Sequence, residues 1–242
     1  MEKIITYENL RNFTYSNDKI CRRPIKGIVI NHCWLGWNSM HKDDPADGVM
    51  YGENGILFLC PYSNPWGWMN KQNLAFVDEI VDLVMKEFDL PETTPIVSTG
   101  TSMGGLSCIV YTRYAKRTPV ACVANCPVCD LVYHFTERPD LPRTLYSAFF
   151  DYEGTMDEAL RLNSPVHLAA EMPDVNYTLF HGDADAAVDL HRHSERFVEA
   201  MKETGHRITL YVDPGRIHND LTPEMAELFS KCILDAIDKH SV

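Results

Sequence analysis

The 242-residue chain has no run approaching 18 apolar residues, which argues against a membrane-spanning helix. Positive charge is scarce. Against 34 Asp and Glu stand 22 Lys and Arg, a formal net charge of −12. A nucleic-acid partner needs a basic footprint, and an anionic membrane surface attracts the same residues, so neither is an expected partner. The opening stretch "MEKIITYENLRNF" has no long apolar core and no cleavage-site pattern, unlike a signal peptide. We therefore expect a cytoplasmic protein whose eight scattered cysteines stay reduced. The chain also lacks repeats, low-complexity segments and linkers. What is present is ordinary for a soluble globular protein: 45% hydrophobic and 23% charged residues. The length suits a single domain over residues 1–242, able to bury a sizeable core.

Short apolar runs at 27–31, 55–59, 95–98, 120–125, 177–180 and 207–212 read as buried strands. Between them apolar residues take helical spacing. Val77, Ile80, Val81, Val84, Met85 and Phe88 mark one helix, which should end near Leu90-Pro91. Further helices are expected over 105–117, around Ser194, Phe197, Val198 and Met201, and around Phe229, Cys232, Ile233, Ala236 and Ile237. Strands alternating with helices imply an α/β fold, a mainly parallel sheet with helices on both faces. Residues 127–165 show no clear period; a small cap insert is expected at about 129–163.

Between the strand at 95–98 and the helix at 105–117 lies "STGTSMGGLS". Gly100-Thr101-Ser102-Met103-Gly104 fits G-x-S-x-G, a sharp turn that pushes the serine hydroxyl into a cleft at the carboxyl edge of the sheet. The flanking glycines keep side chains out of crowded backbone, and Gly105 lets the helix approach the sheet. A serine hydroxyl is a poor nucleophile until a base takes its proton. The partners should follow in the order acid, then histidine, each behind a strand. "HGDADAAVDL" supplies Asp185 and "DPGRIHND" supplies His218.

These pieces, with "NSPVHLA" at 163–169, resemble the prolyl-oligopeptidase-like and dienelactone-hydrolase-like branch of the α/β-hydrolase superfamily. The resemblance spans roughly residues 26–240. It implies an α/β-hydrolase fold with Ser102 as nucleophile, Asp185 as acid and His218 as base. It also implies an oxyanion hole from the N–H of Met103 and a second N–H on "NHCWLGW". There His32 stands at the family's histidine position and Trp34 at the donor position. Cys33 replaces a glycine and is an alternative donor.

Several residues carry rival readings. Asp183 and Asp130 compete with Asp185 as the acid. His181 matches a strand-end histidine whose plain role is a buried hydrogen bond. Cys126 and Cys129 read as ordinary thiols near the pocket wall, and His191-Arg192-His193 as the solvent-facing start of a helix, so no metal is expected. Trp34, Trp37, Trp66 and Trp68 fall in two loops after strands; with Tyr62 they form either an aromatic substrate wall or part of the core. The expected activity is hydrolysis of short-acyl carboxylic esters, of carbohydrate or aryl alcohols, through an acyl-enzyme on Ser102 and without a cofactor. The expected partner is a small-molecule ester, with homo-oligomerisation left open. A small serine peptidase and a non-catalytic binding protein on the same fold are the alternatives.

Overall fold

A computed structural model describes residues 4–241. In chain order its strands are β1 (Thr14–Ser16), β2 (Gly27–His32), β3 (Ile56–Pro61), β4 (Ile96–Thr101), β5 (Ala121–Asn125), β6 (Asn176–Gly182) and β7 (Ile208–Asp213). Its α-helices are α1 (Ala46–Glu53), α2 (Lys71–Glu87), α3 (Met103–Tyr114), α4 (Leu131–Glu137), α5 (Leu141–Phe149), α6 (Met156–Arg161), α7 (Pro165–Leu168), α8 (Arg196–Glu203) and α9 (Pro223–His240). The strands form one seven-stranded sheet in the order β1-β3-β2-β4-β5-β6-β7. All its pairings are parallel except β1 with β3.

Every residue of β3 and β5 is buried, as both faces of a parallel sheet demand. Alternate side chains serve opposite layers. Ile28 and Ile30 pack with α2 and α3, whereas Val29 packs with Ile233 and Ile237 of α9. Cys122 and Ala124 meet α3 and α8; Val123 faces α9. β2 lies between β3 and β4, so the chain order reverses beside it. Loops that leave the carboxyl ends of β2 and β4 therefore face each other across a crevice, the usual ligand position in such sheets.

Two elements escaped the sequence reading. β1 is a three-residue edge strand without an apolar run, registered by the buried Asn17, whose amide donates to the carbonyls of Gly48 and Ile56. α1 is short and carries two glycines, Gly48 and Gly52, among its eight residues. The segment expected as a cap contains α4, α5 and α6. Leu131, Leu141, Leu145, Ala159 and Leu160 join the core cluster that also holds α2 and α3. No described helix is long and apolar enough to cross a membrane.

Candidate active site

Ser102 sits between β4 and α3 with φ 61° and ψ −120°. A non-glycine residue pays roughly 1–3 kcal/mol for such a conformation, so the surroundings must impose it. They do: the Ser102 N–H donates to the Asn125 carbonyl at 3.0 Å, and its own carbonyl accepts from Leu106 and Val128. A Cβ on Gly100 would lie 2.3 Å from the Gly104 carbonyl oxygen, which keeps that position bare. A Cβ on Gly105 would lie 2.9 Å from Pro127, where α3 meets the turn after β5.

Loops behind β6 and β7 deliver the partners. His218 Nε2 lies 3.0 Å from Ser102 Oγ, and His218 Nδ1 lies 2.7 Å from Asp185 Oδ2. A carboxylate oxygen can only accept, so Nδ1 carries the proton and Nε2 presents its lone pair to the serine. The Asp185 side chain is fully buried, and His218 is about one quarter exposed. Burial alone would raise the Asp185 pKa. Hydrogen bonds from His181, His218 and the Val188 N–H outweigh it and hold the carboxyl well below its ordinary range. Its other oxygen accepts from the N–H groups of Ala187 and Val188.

The rival acids are engaged elsewhere. Asp183 accepts from the Gly215 N–H and ties its loop to the next. Asp130 caps α4 through the Tyr133 N–H and pairs with Arg196.

Met103 is the first residue of α3, and the loop carrying Cys33 and Trp34 follows β2. Among the described residues no acceptor takes the N–H of Met103, Cys33 or Trp34. The Cys33 thiol points to the Pro61 carbonyl at 3.3 Å, and burial pushes its pKa up to about 12. His32 is buried with Nε2 3.0 Å from Ser98 Oγ.

The aromatic residues divide. Trp34 and Trp66 are exposed; their loops are joined by the Gly36 N–H donating to the Pro65 carbonyl. Trp37 meets Trp34 edge-on, and its indole and Tyr62 line a side groove of about 250 Å³. Trp68 is not part of any exposed wall. It is 1% exposed, packs on His134 and donates to Thr144 Oγ1. The reason is α4 and α5, whose position the sequence left open: they bury the second half of the 62–70 loop. A cleft of about 560 Å³ remains between Trp66 and α5, lined also by Asn64, Asp140, Arg143, Thr144 and Ser147.

The expectation for His191-Arg192-His193 holds for His191 and fails for His193, which is wholly buried. A π-helical turn over His191–Glu195 widens the start of α8 and rotates His193 inward. There it joins His134 and Glu137, the kind of trio that could hold a metal ion. Its tautomer opposes that role. His193 Nδ1 accepts the N–H groups of Cys129 and Asp130, so Nε2 keeps its proton and donates to Glu137. A metal ligand needs that lone pair free. Cys126 lies beside Asp185 and His218, with its thiol 3.1 Å from Asn219 Oδ1; burial raises its pKa to about 12. All eight cysteines are free.

The family model described as prolyl oligopeptidase family matches residues 71–231, which include Ser102, Asp185 and His218. The chain belongs to the prolyl oligopeptidase family. No curated protein sequence matches it. Among solved structures of this α/β-hydrolase fold, dipeptidyl peptidase 4 of Porphyromonas gingivalis superposes with a TM-score of 0.66 at 15% identity, covering 88% of this chain and 31% of that one. Thermogutta terrifontis esterase 2 gives 0.62 at 17%, covering 93% and 87%. An S-formylglutathione hydrolase of Agrobacterium tumefaciens gives 0.63 at 19%, covering 88% and 83%. The chain thus spans about a third of the dipeptidyl peptidase and most of the two shorter proteins.

Proposed function

We propose that this member of the prolyl oligopeptidase family is a serine hydrolase that cleaves short-acyl carboxylic esters through an acyl-enzyme on Ser102. The observation that carries the reading is the unbroken chain Ser102 Oγ–His218 Nε2, His218 Nδ1–Asp185 Oδ2, at 3.0 and 2.7 Å. As Ser102 Oγ attacks the ester carbonyl, His218 Nε2 takes its proton. Asp185 holds the tautomer and stabilises the imidazolium. The oxyanion turns to the N–H of Met103 and to Trp34 or Cys33 on the facing loop. Collapse expels the alcohol, which leaves with the proton from Nε2. Water then gives its proton to Nε2 and attacks the acyl carbon; the acyl–Oγ bond breaks, Ser102 Oγ takes the proton back from Nε2, and the carboxylic acid leaves.

An ester needs less activation than an amide. A peptidase that grips a free amino terminus would also need acidic groups aimed at it, and Asp185, Asp183 and Asp130 on the loops after β6 and β5 are already engaged, by His218, Gly215 and Arg196. Exposed Trp34 and Trp66 offer faces on which an aryl or sugar alcohol could stack, worth about 0.5–1.5 kcal/mol beyond area burial. The second reading is a small peptidase, favoured by the family match itself.

A fluorophosphonate probe should add one adduct mass to the wild-type protein and none to Ser102→Ala. Comparison of kcat/KM across p-nitrophenyl esters and aminoacyl-p-nitroanilides then separates the readings. Faster anilide cleavage, or preference for acyl chains beyond about eight carbons, would replace the esterase reading with another.

A further inference from the structure

Asp185 Oδ2 faces two imidazoles at once. His218 Nδ1 lies 2.7 Å from it and His181 Nε2 3.3 Å. His181, at the end of β6, is 0% exposed. Its Nε2 is also 2.9 Å from the Val188 carbonyl oxygen, and its Nδ1 is 2.8 Å from Ser194 Oγ. Carbonyl and carboxylate oxygens can only accept, so Nε2 bears the proton. Nδ1 then takes the Ser194 hydroxyl as its donor. Ser194 is itself held in place, because the neighbouring His193 is pinned to the backbone of Cys129 and Asp130 and to Glu137.

We propose that His181 is a positioning residue for the hydrolytic site: its Nε2–H holds the Val188 carbonyl at 2.9 Å and lies 3.3 Å from Asp185 Oδ2, so that its positive end shares that oxygen electrostatically with His218 and fixes the carboxylate against the imidazole. This rests on the serine-hydrolase reading. The shared oxygen is a weaker acceptor toward His218 than an unshared one. The proton consequently stays on His218 Nδ1, and the imidazolium is stabilised only as far as the reaction requires. Without the second donor, Asp185 serves His218 alone and favours imidazolium in the free enzyme. The ionisation that limits kcat/KM on the acid side then moves to higher pH. The carboxylate also gains freedom to rotate, which lowers kcat. His181 is buried away from the cleft, so KM should be spared. The titratable groups that face Asp185 are His181 from β6, His218 from the loop after β7 and the Cys126 thiol from the loop after β5. Cys126 remains protonated across the working range and does not supply the shift.

The test is the pH dependence of p-nitrophenyl acetate turnover for wild type, His181→Leu, His181→Gln and Ser194→Ala, with Ser102→Ala as blank. His181→Leu should lower kcat by about 10²-fold, the scale of a small misplacement of a reacting group. It should leave KM within about twofold and move the acid-limb midpoint up by about one pH unit, the equivalent of roughly 1.4 kcal/mol. His181→Gln, which keeps an N–H donor, should restore part of both. Ser194→Ala frees the tautomer and should shift the profile the same way by less. A wild-type midpoint and kcat in His181→Leu overturns the proposal. If that variant does not fold, the same result in Ser194→Ala overturns it. Activity retained in Ser102→Ala would instead defeat the hydrolase reading; loss of activity there with unshifted His181 and Ser194 variants defeats this inference alone.

Discussion

Gly104 lies against the carbonyl oxygen of His32, so closely that a Cβ would stand 2.2 Å from it and 3.1 Å from the Cys33 carbonyl oxygen. This contact sets the distance between the turn carrying Ser102 and Met103 and the loop carrying Cys33 and Trp34. Both proposed oxyanion donors depend on it. Alanine is intrinsically better in a helix by about 1 kcal/mol, yet Gly104→Ala must push backbone from backbone. We expect a lower melting temperature and a loss of kcat of about 10²-fold or more. Thermal unfolding and turnover of a p-nitrophenyl ester check both; a stabilised, fully active variant would contradict the contact.

Asp185 and Asp130 separate by their effects. Asp185→Asn removes the acceptor that fixes the His218 tautomer and should cost about 10³–10⁴ in turnover with the fold retained. Asp130→Asn weakens the Arg196 pair, a loss of stability on the order of 1 kcal/mol with turnover within tenfold of wild type. Urea unfolding beside ester kinetics gives both numbers. A larger kinetic loss at Asp130 would reassign the acid.

The tryptophans should behave as two groups. Trp68→Ala opens a void beneath α4 and α5 and should lower stability by about 3–5 kcal/mol. Trp34→Ala and Trp66→Ala remove exposed rings and should leave stability within about 0.5 kcal/mol. Their effect belongs in KM for aryl esters, read against an alkyl ester of the same acyl group.

Acid should destabilise the fold through His32. Burial lowers its pKa from 6.5 to about 3, so the folded state rejects a proton that the unfolded state binds. Its contribution is therefore complete above about pH 6.5 and is lost as pH falls from there toward 3. His32→Gln should flatten the stability–pH curve in that window, by up to about 1.4 kcal/mol per pH unit. Chemical unfolding at half-unit pH steps measures the slope, and identical slopes would rule out the titration.

Local chemistry wrote much of this protein into its sequence. Short continuous apolar runs specify the inner strands because both faces of a parallel sheet must be filled, and period 3.6 specifies α2, α8 and α9. Ser102 could be read because its turn needs bare glycines at 100 and 104. Asp185 and His218 could be read because the order of roles follows the order of strands. Trp68, His193 and Ser194 depended on contacts between distant segments. Whether Trp68 faces solvent or core is decided by α4 and α5, some 70 residues away in sequence. Whether His193 points out or in is decided by one π-helical turn, which no periodicity announces. The sharing of Asp185 by His181 and His218 is likewise a product of folding, since only the packed loops bring both imidazoles to one oxygen atom.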